Sequence, residues 1–180
     1  MKCKDLMMRF GGHKMAAGMT LSEDNLPELR KRLNQESTLT EEDFCPVVRI
    51  DAAMPVGYVT ERLMEEFEQM EPFGVGNPKP VFAGQHFKIL RGRRIGKESQ
   101  YLKLRVEDDL GNQTDALLFQ DADLFDAFIT EEWGEAELKR MYEGKENYLD
   151  VAFSFFPEIN EYQGNRSSQI MISSYCRVKR

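Results

Sequence analysis

Five short stretches of alternating apolar and polar residues crowd the second half of this 180-residue chain and leave few folds open to it. They are "FAGQHFKIL" (82–90), "QYLKLRVED" (100–108), "QTDALLF" (113–119), "NYLDVAFSFF" (147–156) and "SQIMISSYC" (168–176). Each has the period of two, and the β-branched or aromatic content, of a strand that buries one face. Between the third and the fourth the pattern turns helical, which predicts helices over 121–130 and 134–142.

Three strands, a helical stretch and two more strands is the layout of an OB-type five-stranded β-barrel, which binds single-stranded nucleic acid on one face. A barrel of that size needs a substantial core, and a chain that is 41% hydrophobic, with twelve Phe and ten Met, supplies one. Upstream of it, "VVRIDAAM" (47–54) reads as a strand, and Thr60 as the cap of a helix with Leu63, Met64, Phe67 and Met70 on one side. "EPFGVGNPKPVF" (71–82) is too rich in Gly and Pro to continue that helix and reads as a structured connector.

The first 46 residues read differently. "CKDLMMRF" is predicted to form a short apolar helical turn that breaks at Gly11-Gly12, and its Leu6, Met7 and Met8 offer apolar surface for self-association. Ser22 is placed to cap a helix from Glu23 to about Gln35, with Leu26, Leu29 and Leu33 as a packing stripe. The expected organisation is therefore α+β in three parts: 1–46, a connector over 47–80 and the barrel over 81–180.

Composition excludes several classes. No apolar run approaches the roughly 18 residues of a membrane helix, and "MKCKDLMMRF" has no secretory core, so a cytoplasmic protein without a membrane partner is expected. Cys3, Cys45 and Cys176 are odd in number and form no CxxC pair, so they read as reduced, buried small hydrophobes. His13 and His86 are the only histidines, too few for a zinc site.

Charge is distributed against the average. The net charge is −7, yet from Lys88 to Arg105 seven cations (Lys88, Arg91, Arg93, Arg94, Lys97, Lys103, Arg105) face one acid, Glu98. If Leu102, Leu104 and Val106 point into the barrel, Tyr101, Lys103 and Arg105 point out together. An aromatic ring among cations suits a groove that stacks bases and tracks phosphates, although a solvated charged face has the same composition. The segment from Glu107 to Glu146 has the opposite balance, thirteen acids against Lys139, Arg140 and Lys145. Asp121, Asp123 and Asp126 are spaced like carboxylate metal ligands, but they also fit the acidic first turn of a helix, which is the reading adopted.

"RFGGHKMAAG" (9–18) completes the inventory. Paired glycines permit positive φ and let backbone N–H groups approach an anion. Arg9, Gly11, Gly12, His13 and Lys14 are accordingly candidate phosphate contacts, with small residues Ala16, Ala17 and Gly18 behind them.

Three motifs in order carry a family resemblance over essentially the whole chain. "FGGHKMAAG" resembles the signature of the DHH-associated domain of DHH phosphoesterases. "MEPFGVGNPKPVF" resembles the connector into the OB domain of RecJ single-stranded-DNA exonucleases, and "NEYQGNRSSQIMI" is similar to that family's last strands. Many relatives have His-Leu-Lys where this chain has Tyr101-Leu102-Lys103, a change that keeps the lysine and an aromatic ring. The resemblance implies 5′ digestion of single-stranded DNA by two divalent metals, Mn²⁺ or Mg²⁺, held by a DHH domain. This sequence contains no DHH motif, so the expectation is a C-terminal piece of a longer bacterial exonuclease that binds no metal and cleaves nothing by itself. On this reading Gly11, Gly12 and His13 contact the strand facing the metal centre, and the barrel cations hold it. Two alternatives share these features: an OB module that docks on repair or replication proteins through residues 107–146, and part of a small-substrate DHH phosphodiesterase.

Overall fold

In the computed structural model, which describes residues 3–13, 16–44, 47–120, 122–162 and 164–178, the chain forms two compact units, 1–47 and 48–180. The larger one contains the barrel. Strands β4 (Phe82–Ile95), β5 (Tyr101–Asp108) and β6 (Gln113–Leu118) form an antiparallel meander. β7 (Asp150–Tyr162) and β8 (Asn165–Arg177) form a long hairpin; β8 pairs in parallel with β6, and β7 returns to β4. The circuit β4-β5-β6-β8-β7-β4 is closed, as the strand order predicts. Closure demands bending, and register shifts at Gly84/Phe87, Ile89/Arg91 and Ser154/Phe155 provide it.

The inward-facing residues of the strands fill the inside. Leu102, Leu104 and Val106 of β5, Ala116 and Leu118 of β6, and Phe153 and Phe155 of β7 are essentially inaccessible to solvent. Between β6 and β7 lie α3 (Ala122–Trp133) and α4 (Glu135–Glu143), which insert Phe125, Ile129 and Met141 into the same core. Gly92 lets α4 approach closely, because a Cβ there would stand 2.8 Å from Met141 Cε. At the β5–β6 turn the buried Asp108 accepts hydrogen bonds from the amides of Val56, Leu110 and Asn112. The carboxylate thereby ties the segment before the barrel to its hairpin.

The connector is built as its residues dictate. Thr60 Oγ1 accepts from the Leu63 amide and caps α2 (Glu61–Glu68), which buries Met64. In "PFGVGN", Gly74 and Asn77 exchange backbone hydrogen bonds of 2.8 and 3.1 Å, while Asn77 Nδ2 donates to Met70 O and Pro72 O. The strand expected over 47–54 shrinks to β3 (Ala52–Ala53), parallel to the start of β4. Backbone bonds flank it on both sides, where the amides of Asp51 and Met54 donate to Val81 O and Ala83 O.

The smaller unit departs furthest from expectation. The apolar helical turn is a single 3-10 turn at Lys4–Leu6, and Gly11-Gly12 does not break a helix. Both glycines lie in β1 (Arg9–His13), paired with β2 (Ala16–Thr20) through Gly11↔Gly18, Gly12↔Ala17 and His13↔Ala16. Close approach of the two strands is what requires Gly12, since a Cβ would sit 2.4 Å from Ala16 O. The positive φ expected of the pair is found instead at Gly96, Gly111, Gly134, Gly144 and Gly164. Residues 23–25 form a 3-10 turn whose N-cap residue is Ser22, without a side-chain hydrogen bond, and the turn leads into α1 (Leu26–Glu36), whose first turn accommodates Pro27. Of the predicted stripe Leu29 is buried, whereas Leu26 and Leu33 are exposed. Cys3 is buried and Cys176 exposed; Cys45 lies outside the described residues. Among the described residues no helix is long and apolar enough to cross a membrane.

Candidate nucleic-acid interface

The outer face of β4, β5 and β6 gathers most of the basic segment. Because Leu102, Leu104 and Val106 are fully buried, Tyr101, Lys103 and Arg105 share the opposite face of β5. The register sets Arg93 against Lys103 and Arg91 against Arg105. Two successive cross-strand pairs are therefore cation facing cation, an arrangement that costs stability by itself. Arg91, Arg93, Lys103, Arg105 and Asp115 line a shallow cavity of about 190 Å³ between them.

Asp115 of β6 is the local counterion. Its carboxylate accepts from Lys103 Nζ at 2.7 Å and Arg105 Nη1 at 3.2 Å. Burial opposes ionisation there, but these two cations hold the carboxyl below the usual aspartate range. Lys103 and Arg105 share the Asp115 carboxylate, while among the described residues neither Arg91 nor Arg93 has an ion-pair or hydrogen-bonding partner. At one end of the strip the half-buried Tyr101 ring meets Phe119 edge-on, centroids 5.0 Å apart at 70°. Phe119 is 54% exposed, which leaves its ring open to a stacked base.

The structure does not bring all seven predicted cations together. Lys88 lies further along β4, 4.0 Å from Glu107 and largely exposed. Lys97 is exposed in the β4–β5 turn. Arg94 leaves the strip altogether. It stands opposite the buried Leu102, on the other face of β4, and reaches α3 and α4. There its Nη2 donates to Asp123 and Asp126, and its Nε to Tyr142 Oη at 3.3 Å. The paired carboxylates keep the guanidinium more firmly protonated than usual. Burial and a 2.7 Å hydrogen bond to Asp126 push the Tyr142 hydroxyl up to about 12. Arg94 is thus a clamp between barrel and helices and is withdrawn from the candidate contacts.

The same clamp occupies two of the three carboxylates that are spaced like metal ligands. Asp123 and Asp126 are committed to Arg94, Asp121 lies outside the described residues, and no group of three or more His, Cys, Asp or Glu among the described residues fits a metal ion.

In the smaller unit Arg9, Gly11, Gly12 and His13 all lie on the exposed β1, while Lys14 lies outside the described residues. Asp115 and Phe119 are the site residues that the reading of the sequence missed. Extending the period of two from Asp115 through Leu117 to Phe119 would have found both.

Comparison with known proteins places these features in context. Residues 50–174 match the family model described as the RecJ OB domain. The chain is 36% identical over 130 residues to the single-stranded-DNA-specific exonuclease RecJ of Bacillus subtilis, covering 71% of this chain and 16% of that protein. It is 30% identical over 172 residues to the Escherichia coli protein of the same name, covering 94% and 26%. A crystal structure of RecJ with Mg²⁺ from Thermus thermophilus has the same fold, with a TM-score of 0.63 at 21% identity, covering 99% of this chain and 24% of that one. The chain therefore spans about a quarter or less of the length of each of these relatives.

Proposed function

The chain belongs to the RecJ OB-domain family, and on that premise we propose that the trough on β4, β5 and β6 holds single-stranded DNA for a RecJ-type exonuclease acting in DNA repair and recombination. The observation that carries this reading is the pair of like-charged cross-strand contacts, Arg91 with Arg105 and Arg93 with Lys103, left with one carboxylate between them. Bound phosphates relieve that repulsion, and each phosphate neutralised releases counterions. Tyr101 and Phe119 at the end of the strip supply the stacking surface that distinguishes an unpaired strand from a duplex.

The small share of each relative that the chain spans supports a division of labour. The barrel guides the strand, and phosphodiester hydrolysis belongs to a metal-bearing domain outside these 180 residues. Arg9, Gly11 and His13 on the exposed β1 form a second proposed phosphate contact, with Gly11 leaving open space where a Cβ would stand. Fluorescence anisotropy with a labelled oligo-dT and a duplex of equal length tests the reading. The single strand should bind at least about tenfold tighter, a margin of roughly one stacked base, and addition of Mn²⁺ should release no nucleotides. Equal affinity for the duplex would remove the stacking assignment, and robust digestion would remove the division of labour.

A further inference from the structure

Beside the trough lies a second hollow, of about 560 Å³, whose floor is Ile89 and Leu90 and whose rim includes Lys88, Lys145, Glu146 and Tyr148. The two are neighbours. Arg91, which lines the trough, packs against Gly144 on the wall of the hollow, where a Cβ would stand 3.5 Å from Arg91 Cδ. Tyr148 is 75% exposed on a backbone that hydrogen bonds anchor. Its amide donates to Glu137 Oε2 at 2.8 Å, and Asn147 Nδ2 donates to Ile89 O at 2.9 Å. The preceding α4 ends in a left-handed Gly144, with the Lys145 amide returned to Arg140 O.

The exposed Tyr148 stands at a rim that carries Lys88 and Lys145 together with Glu107 and Glu146. We propose that the hollow is a second base-stacking station, at which the ring of Tyr148 receives a nucleotide of the same strand after it has crossed the trough, with Lys88 and Arg91 on the phosphates between. The proposal rests on the trough reading and extends it. The six residue steps from Tyr101 to Glu107 put about 20 Å between the two ends of the strip at roughly 3.3 Å per residue. Short oligonucleotides thus occupy the Tyr101 end alone, and longer ones reach both rings.

Oligo-dT of about 4 and about 12 nucleotides, the range of site sizes seen for OB folds, separates the two stations, with the shorter one measured by competition. Tyr148→Ala should weaken the longer oligomer roughly tenfold, change the shorter one less than about twofold, and be rescued by Tyr148→Phe, because stacking needs the ring and not the hydroxyl. Lys88→Gln should lower the salt slope for the longer oligomer by about 0.7, one phosphate. Unchanged affinity of Tyr148→Ala for the longer oligomer, or an equal loss for both lengths, overturns the second station. Tyr101→Ala tests the trough separately: if it weakens neither length, the trough reading fails whatever Tyr148 does.

Discussion

Replacing Arg93 and Lys103 together by glutamate is expected to weaken binding of single-stranded DNA by roughly a hundredfold at moderate salt, two decades at about 1.4 kcal/mol each. The two residues are direct cross-strand partners on the outer face, so the double change inverts the sign of the strip at its centre. A charge-assisted hydrogen bond is worth about 1.5–3 kcal/mol, and here two are lost. Lys103→Glu also sets a second carboxylate against Asp115, the present partner of Lys103. The fold should survive, because neither residue contributes to the buried core. A loss below about threefold, with unchanged thermal stability, would mean that the strand does not cross this face.

The largest expected effect on stability lies on the inner face of the same barrel. Phe155 has no exposed surface, and its ring lies 6.5 Å from Phe82 and 6.0 Å from Phe87, between the two strands that close the cylinder. Phe155→Ala should cost about 3–5 kcal/mol, which lowers the melting temperature by roughly 10–15 °C in a protein of this size. Trp133, the single tryptophan, sits on α3 against this core and reports its unfolding by fluorescence. A shift of only a degree or two would contradict the central place given to this ring.

The two substitutions also mark what the amino-acid sequence makes legible. Period two sorts Leu102, Leu104 and Val106 from Tyr101, Lys103 and Arg105 without any tertiary information, and the strand order alone indicates the closed barrel. Arg94 shows where such reading ends. It belongs to the basic run by composition, but the register shift between Ile89 and Arg91 changes the phase of β4, and its partners lie on helices 29 to 48 residues further on. A count of charges contains neither fact. The Gly11-Gly12 pair misleads for a related reason. Glycine reads locally as a turn, whereas here the demand for it comes from the opposing strand, where Ala16 and Ala17 leave no room for a Cβ at Gly12. The stripe on α1 has the right spacing for packing, yet burial selects Leu29 alone from it.

Binding on this face requires phosphates to be neutralised by a compact set of outward-facing cations. Its most direct test is the association constant of the 180-residue chain for an oligo-dT measured across a salt series. With three to five phosphates engaged at about 0.7 per phosphate, the double-logarithmic slope should fall between roughly −2 and −4. A slope near zero would contradict it.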